Sequence, residues 1–165
     1  MEERKIPMNS LERRILIELL MDAERTAVSI AERVGSSRQT VSKKIDKFED
    51  SGVIEGVSAR VDPSRVGLEE RAFVFIQEDP EMSVRRKIER EIDRIPQVTR
   101  FFRLFGRYSG LLEILTRDQQ ELSSLVKEIH ELEGMRETET FIVHSSVKNR
   151  PQDALIHALR EDAGH

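Results

Sequence analysis

Cysteine is missing from the 165-residue chain, which excludes a disulfide framework, a thiol nucleophile and any cysteine-ligated metal. Long apolar runs are missing as well. The longest, residues 72–76, holds five, whereas a membrane helix needs about 20, so no membrane partner is expected. The opening MEERKIPMNS is charged and has no apolar core segment; no signal peptide is expected, and the cytoplasm is the expected compartment. A basic excess is also lacking. With a net charge of −4, nucleic-acid binding would have to rest on local charge. Neither an internal repeat nor a low-complexity segment is present.

What is present points to folded domains. The chain is 38% hydrophobic and 35% charged, too apolar for a disordered chain. Its length suits one large domain or two small ones. Charge is unevenly placed: residues 1–68 hold 12 Lys/Arg and 12 Asp/Glu, residues 69–165 hold 15 and 19. All the excess acid lies in the second part. Within the first, residues 36–48 carry Arg38, Lys43, Lys44 and Lys47 against Asp46 alone.

Hydrophobic periodicity changes near residue 62. Before it, Leu11, Ile15, Leu16, Leu19 and Leu20 mark one helix face, opened by a capping-box pair, Asn9 and Glu12. Ala27, Ile30, Ala31 and Val34 stripe a second helix ended by Gly35. Val41, Ile45 and Phe48 stripe a third, capped by Ser36 or Ser37 and ended by Gly52. Residues 53–61 alternate around Gly56, which predicts a small hairpin. The expected organisation is a winged helix-turn-helix over 1–62 and a linker over 63–70.

The second part reads differently. A strand over 72–76 precedes a helix striped by Val84, Ile88, Ile92 and Ile95. Strands over 98–105 and 111–116 meet at residues 106–110. Asp118 and Glu121 form a capping box for a helix bearing Leu122, Leu125, Val126, Ile129 and Leu132. A β-branched strand over 138–147 closes the set. The order β-α-β-β-α-β over 71–147 is the ferredoxin-like pattern, giving an α+β chain. Residues 148–165, with Ala154, Leu155, Ala158 and Leu159, form a tail expected to contain a short amphipathic helix.

The third helix of the first part carries DNA-reading chemistry. Opposite its apolar stripe stand Gln39, Lys43 and Asp46, flanked by Thr40, Ser42 and Lys47, with Arg38 in the first turn. Arg and Gln make bidentate contacts to guanine and adenine edges, while Lys and hydroxyls suit phosphates. Recognition helices meet bases with their N-terminal half, where residues 37–43 lie. A solvated polar face is the plain alternative. The expected DNA-binding set is Ser37, Arg38, Gln39, Thr40, Ser42 and Lys43, with Lys44, Lys47 and, in the wing, Arg60 on phosphates.

An ordered run of residues makes this more specific. It comprises Leu11, Ile15-Leu16, Leu19, Arg25, Ile30-Ala31, Val34-Gly35-Ser36-Ser37, Val41, Ile45, Phe48-Glu49, Gly52-Val53-Ile54, Val61-Asp62-Pro63 and Val66-Gly67. In this run the chain resembles the winged helix-turn-helix of the Lrp/AsnC, or feast/famine, transcription regulators. Gly106-Arg107-Tyr108, Leu111-Leu112, Gly134 and Thr138-Glu139-Thr140-Phe141-Ile142-Val143 resemble that family's second module, the RAM (ACT-like) effector and oligomerisation domain. The resemblance implies a sequence-specific regulator of double-stranded DNA that acts as a homodimer or as a larger even assembly, a tetramer or octamer. It also implies a small-molecule effector near Arg107, Ser109, Thr138 and Thr140. Where many members carry acids in the loop before the third strand, this chain has Arg107 and Ser109, which favours a carboxylate-bearing effector, a phosphate or no ligand at all over an amine.

Two rivals remain open at this level: a module that uses its helices for protein contacts, or a small ferredoxin-like enzyme with a fused helical domain. No enzyme is expected, because no converging catalytic groups can be assembled. His130, His144, His157 and His165 lack ligand-like spacing, so no metal or cofactor is expected. Residues 106–110 lack the lysine and helix of a phosphate-binding loop.

Overall fold

The computed structural model describes residues 6–161; residues 1–5 and His165 of the sequence reading lie outside them. The chain divides into two compact units. One contains residues up to 59 together with 148 onward, the other residues 60–147. The division falls close to the change in periodicity near residue 62, and the tail belongs with the first unit.

In the first unit, α1 (Ser10–Met21), α2 (Ala27–Val34) and α3 (Arg38–Asp50) enclose one apolar core. Ile15, Ile30, Ala31, Val34, Val41 and Phe48 are buried there, at the helical spacing that puts each on one side of its helix. Both halves of the α1 capping box form: the Asn9 side chain accepts from Glu12 N–H at 2.9 Å, and Asn9 N–H donates to the Glu12 carboxylate at 2.9 Å. At the end of α2 the chain turns through Gly35 at φ +63°, a conformation that costs glycine nothing. Ser36 N–H reaches back to Ala31 C=O at 3.0 Å, closing the last turn. Ser37 then starts α3 as its N-cap. A helix α6 (Gln152–Glu161) follows the sheet unit in sequence and packs against α1.

The hairpin expected over 53–61 does not form; those residues hold no strand. Val53 and Ile54 are adjacent, yet both pack against the helical core, so alternation fails at its first step. Val57 and Val61 are 70% and 61% exposed, leaving no buried face to fix a register. Gly56 lacks the positive φ that two-residue hairpin turns favour. Arg60 therefore stands in irregular chain, not on a wing strand. Residues 63–70 contain a 3-10 turn, Pro63–Val66, before β1 begins.

The second unit is a four-stranded antiparallel sheet in the order β2-β3-β1-β4, formed by β1 (Glu70–Glu78), β2 (Val98–Arg103), β3 (Gly110–Thr116) and β4 (Met135–Ile142). Two helices, α4 (Met82–Asp93) and α5 (Gln119–His130), follow β1 and β3 respectively. The α+β class and the βαββαβ order stand. Ala72, Val74 and Ile76 of β1 pack with Leu112 and Ile114 of β3, Ile88 and Ile92 of α4, and Leu122, Leu125 and Ile129 of α5. The alternate residues of β1 face the opposite side. There Phe73, Phe75 and Phe141 are joined by Phe102 and by Glu113, which ion-pairs with Arg71 and Arg100 at 3.4 Å each.

Two strands differ from the sequence reading. β2 ends at Arg103, and Phe105 lies fully exposed in the following loop. β4 starts at Met135 and ends at Ile142, not over 138–147. β1 pairs with it from Glu78–Met135 to Ala72–Ile142, with one further bond from Val143 N–H to Arg71 C=O at 2.8 Å. Beyond that point β-branched residues alone do not make a strand.

Candidate nucleic-acid interface and effector region

The helix-turn-helix pair presents α3 with its apolar side inward and its polar side outward. Val41 and Phe48 are buried, whereas Ser37, Arg38, Gln39, Lys43 and Lys47 are exposed and Thr40, Ser42 and Lys44 half-buried. The N-terminal half is well capped. Ser37 Oγ accepts Thr40 N–H at 3.1 Å and lies 2.8 Å from Thr40 Oγ1. Unpaired N–H groups and the positive end of the helix dipole favour anions at this end. Arg38, Gln39 and Lys43 project from the same half.

Lys44 and Lys47 have a partner the sequence reading did not assign. The Nζ atoms lie 2.9 and 3.0 Å from Glu12 Oε1. Glu12 belongs to α1, and its side chain is 4% exposed. The Lys44 hydrogen bond, the Asn9 backbone N–H and the Lys47 hydrogen bond, in that order, lower its pKa to about 2. The capping box was legible locally. The lysines that neutralise its acid stand 32 and 35 residues later, beyond any periodicity.

The four effector candidates do not converge on one face. Thr138 and Thr140 pair in register with Ile76 and Val74, so they share the helix-covered face; Thr138 Oγ1 is 3.2 Å from His130 Nδ1 on α5. Ser109 donates from Oγ to the Ile76 carbonyl at 3.2 Å. Arg107 instead reaches Glu137 Oε1 at 3.2 Å, and its guanidinium lies 5.0 Å from the Tyr108 ring centroid. Tyr108 OH donates to Glu139, which raises the phenol's pKa, with desolvation adding to the effect. Phe75 packs on Tyr108 at 5.2 Å and edge-on to Phe141 at 5.7 Å.

Sequence reasoning missed Tyr108, Glu137 and Glu139. The signal was present: on a strand, residues 137 and 139 share the face opposite 138 and 140. A cleft of about 380 Å³ between α4 and β2, lined by residues including Ile92, Val98 and Phe101, includes none of the four candidates. Among the described residues, no three His, Asp or Glu side chains are grouped to hold a metal, and no helix is long and apolar enough to cross a membrane.

Comparison with known proteins agrees with this two-part architecture. The profile of the Lrp/AsnC ligand binding domain matches residues 71–153, and that of a winged helix-turn-helix DNA-binding domain matches residues 8–55. An HTH-type transcriptional regulator of Pyrococcus abyssi is 30% identical over 146 residues, covering 88% of this chain and 91% of its own. A transcriptional regulator of Neisseria meningitidis, solved in complex with L-Met, superposes with a TM-score of 0.86 at 22% identity, over 92% of this chain and 99% of its own. AsnC of E. coli superposes at 0.81 and 23% identity, over 88% and 97%. At those identities the two structures speak for the fold.

Proposed function

The chain belongs to the Lrp/AsnC family of transcriptional regulators, and from that premise we propose that residues 37–43 of α3 read duplex DNA in an assembly of paired subunits. The protein is a transcription regulator with a helix-turn-helix DNA-binding unit and a Lrp/AsnC ligand-binding unit. One observation carries the assignment of the reading residues. Arg38, Gln39 and Lys43 are exposed on the N-terminal half of a helix whose other side, through Val41 and Phe48, is buried. Arg38 and Gln39 suit guanine and adenine edges; Ser37, Thr40, Ser42 and Lys43 suit phosphates and flanking contacts. Lys44 and Lys47, both paired with Glu12, retain one net positive charge between them beside this half of α3.

Each subunit offers one recognition helix, so specific binding requires two, spaced about one helical turn (~34 Å) apart. The open sheet face supports pairing: Phe102 and Phe141 are 47% and 51% exposed, and large apolar surfaces of this kind are commonly covered by a partner. A homodimer, or a tetramer or octamer built from it, is the assembly we assign. The effector we assign is a small zwitterion. Arg107 suits its carboxylate, and Glu137 and Glu139 suit an ammonium group. The Neisseria meningitidis complex with L-Met supports that class. Regulation of this kind acts where the chromosome is, in the cytoplasm.

The test is fluorescence anisotropy of the whole protein on duplexes enriched from a random pool. An enriched pseudo-palindrome is expected, and Gln39→Ala costs about 1–3 kcal/mol with preference relaxed at one base position in each half-site. Equal weakening on every sequence would remove Gln39 from the reading set.

A further inference from the structure

Glu12 is a buried acid set against the basic half of the recognition helix. Its two oxygens are separately committed. Oε2 accepts Asn9 N–H at 2.9 Å, which fixes the carboxylate to the first turn of α1. Oε1 accepts from Lys44 Nζ at 2.9 Å and Lys47 Nζ at 3.0 Å. Those lysines are three apart in sequence and therefore neighbours on one face of α3. A single oxygen thus spans one turn of the recognition helix. Rolling or sliding α3 against α1 would draw at least one ammonium off the carboxylate, and the Asn9 bond prevents the carboxylate from following.

The same contacts alter the charge offered to DNA. Two ammonium groups and one carboxylate leave a single net positive charge where the sequence displays two lysines. A phosphate approaching there exchanges one ion pair for another, so it gains less than it would from two free lysines. Sequence-independent affinity comes from phosphate neutralisation, whereas base readout depends on where α3 points its N-terminal side chains.

We propose that Glu12 is a positioning residue that raises the specificity of DNA binding, by fixing α3 against α1 and by withholding Lys44 and Lys47 from the DNA backbone. The inference rests on α3 being the DNA-reading helix.

Its test uses the full chain, a random-sequence duplex and a duplex enriched by the wild-type protein, each titrated over a range of salt. Glu12→Gln keeps the size of the side chain and an acceptor suited to a capping box. Binding to the random duplex is expected to tighten at low salt. Its log–log salt slope steepens by up to about 0.9 for each lysine that reaches a phosphate, and the enriched-to-random affinity ratio falls several-fold. In a Lys44→Gln/Lys47→Gln background the same substitution no longer steepens the slope. Equal loss on both duplexes with an unchanged slope would mean a merely structural ion pair and overturn the proposal, as would no change at all.

A second variant holds if Glu12→Gln unfolds. Lys47→Gln alone is expected to reduce the random-duplex slope by well under 0.9, since Lys47 is engaged by Glu12; a full reduction of about 0.9 would overturn the proposal. Wild-type protein that bound neither duplex would remove the DNA-binding assignment of α3, and this inference with it.

Discussion

Replacing Ser37 separates the folding of the recognition helix from its contact with DNA. The side chain is the N-cap of α3: its Oγ accepts Thr40 N–H at 3.1 Å and lies 2.8 Å from Thr40 Oγ1. Ser37→Ala removes the acceptor and costs about 1 kcal/mol, within a range of roughly 0.5–2 for such caps. In a unit of this size, 1 kcal/mol lowers the melting temperature by about 4–8 °C. Ser37→Asp keeps an acceptor at the same position and adds a charge the helix dipole favours, so stability is held or raised. On DNA the order reverses. The aspartate brings a negative charge to the edge of the α3 face assigned to phosphates and bases, and binding falls steeply while the fold is intact. Ser37→Ala loses less affinity, through fraying of the helix end and loss of the hydroxyl's own contact with DNA. Thermal unfolding by circular dichroism, paired with anisotropy on an enriched duplex, reads both quantities. A Ser37→Asp protein that melts like wild type and binds DNA equally well would place residue 37 away from the interface. A Ser37→Ala protein with unchanged melting would mean the cap contributes nothing in solution.

Two further outcomes follow from the packing and the charges. Glu12 has its pKa lowered to about 2 from 4.5, so its stabilising contribution is complete above the ordinary carboxylate pKa and is lost as pH falls from about 5 towards 2. Carboxyl NMR titration of the folded protein should place its midpoint well below that of an ordinary glutamate, and a midpoint at or above 4.5 would contradict the Lys44–Glu12–Lys47 arrangement. In the second unit, Gly134 has φ +89°, and a Cβ there would stand 2.2 Å from Val84 Cγ1. Gly134→Ala therefore combines about 1–2 kcal/mol of backbone strain with about 1–3 kcal/mol of overpacking. Adding Val84→Ala should relieve the clash and leave the backbone cost, so full recovery of the melting temperature would refute that division.

Much of the fold could be read because its determinants are local. The spacing of Ala27, Ile30, Ala31 and Val34, the pair Asn9 and Glu12, and the pair Asp118 and Glu121 each act within a few residues, and each element they announce is present. The errors fell where a partner decides. Val53 and Ile54 satisfy a strand pattern only if something pairs with them; instead both fill the helical core. Residues 143–147 include Val143 and Val147, yet β4 ends at Ile142, where pairing with β1 stops at Ala72. Strand propensity describes fitness for a sheet and does not provide the neighbour.

The site divides along the same line. The outward face of α3 follows from helical geometry once Val41 and Phe48 are known to point inward, so Arg38, Gln39 and Lys43 could be named from the sequence. What could not be named is the state of a charge. Lys44 and Lys47 look like any pair of surface lysines until Glu12, more than thirty residues earlier, is brought beneath them. The effector region repeats the point at shorter range. The run Glu137-Thr138-Glu139-Thr140 puts its threonines and its glutamates on opposite faces, and the loop residues Arg107 and Tyr108 chose the glutamates. In both places residue type suggested the chemistry, whereas the partner fixed which residue would express it. A recognition surface is therefore overestimated by counting its cations and better judged by asking which of them the fold has already neutralised.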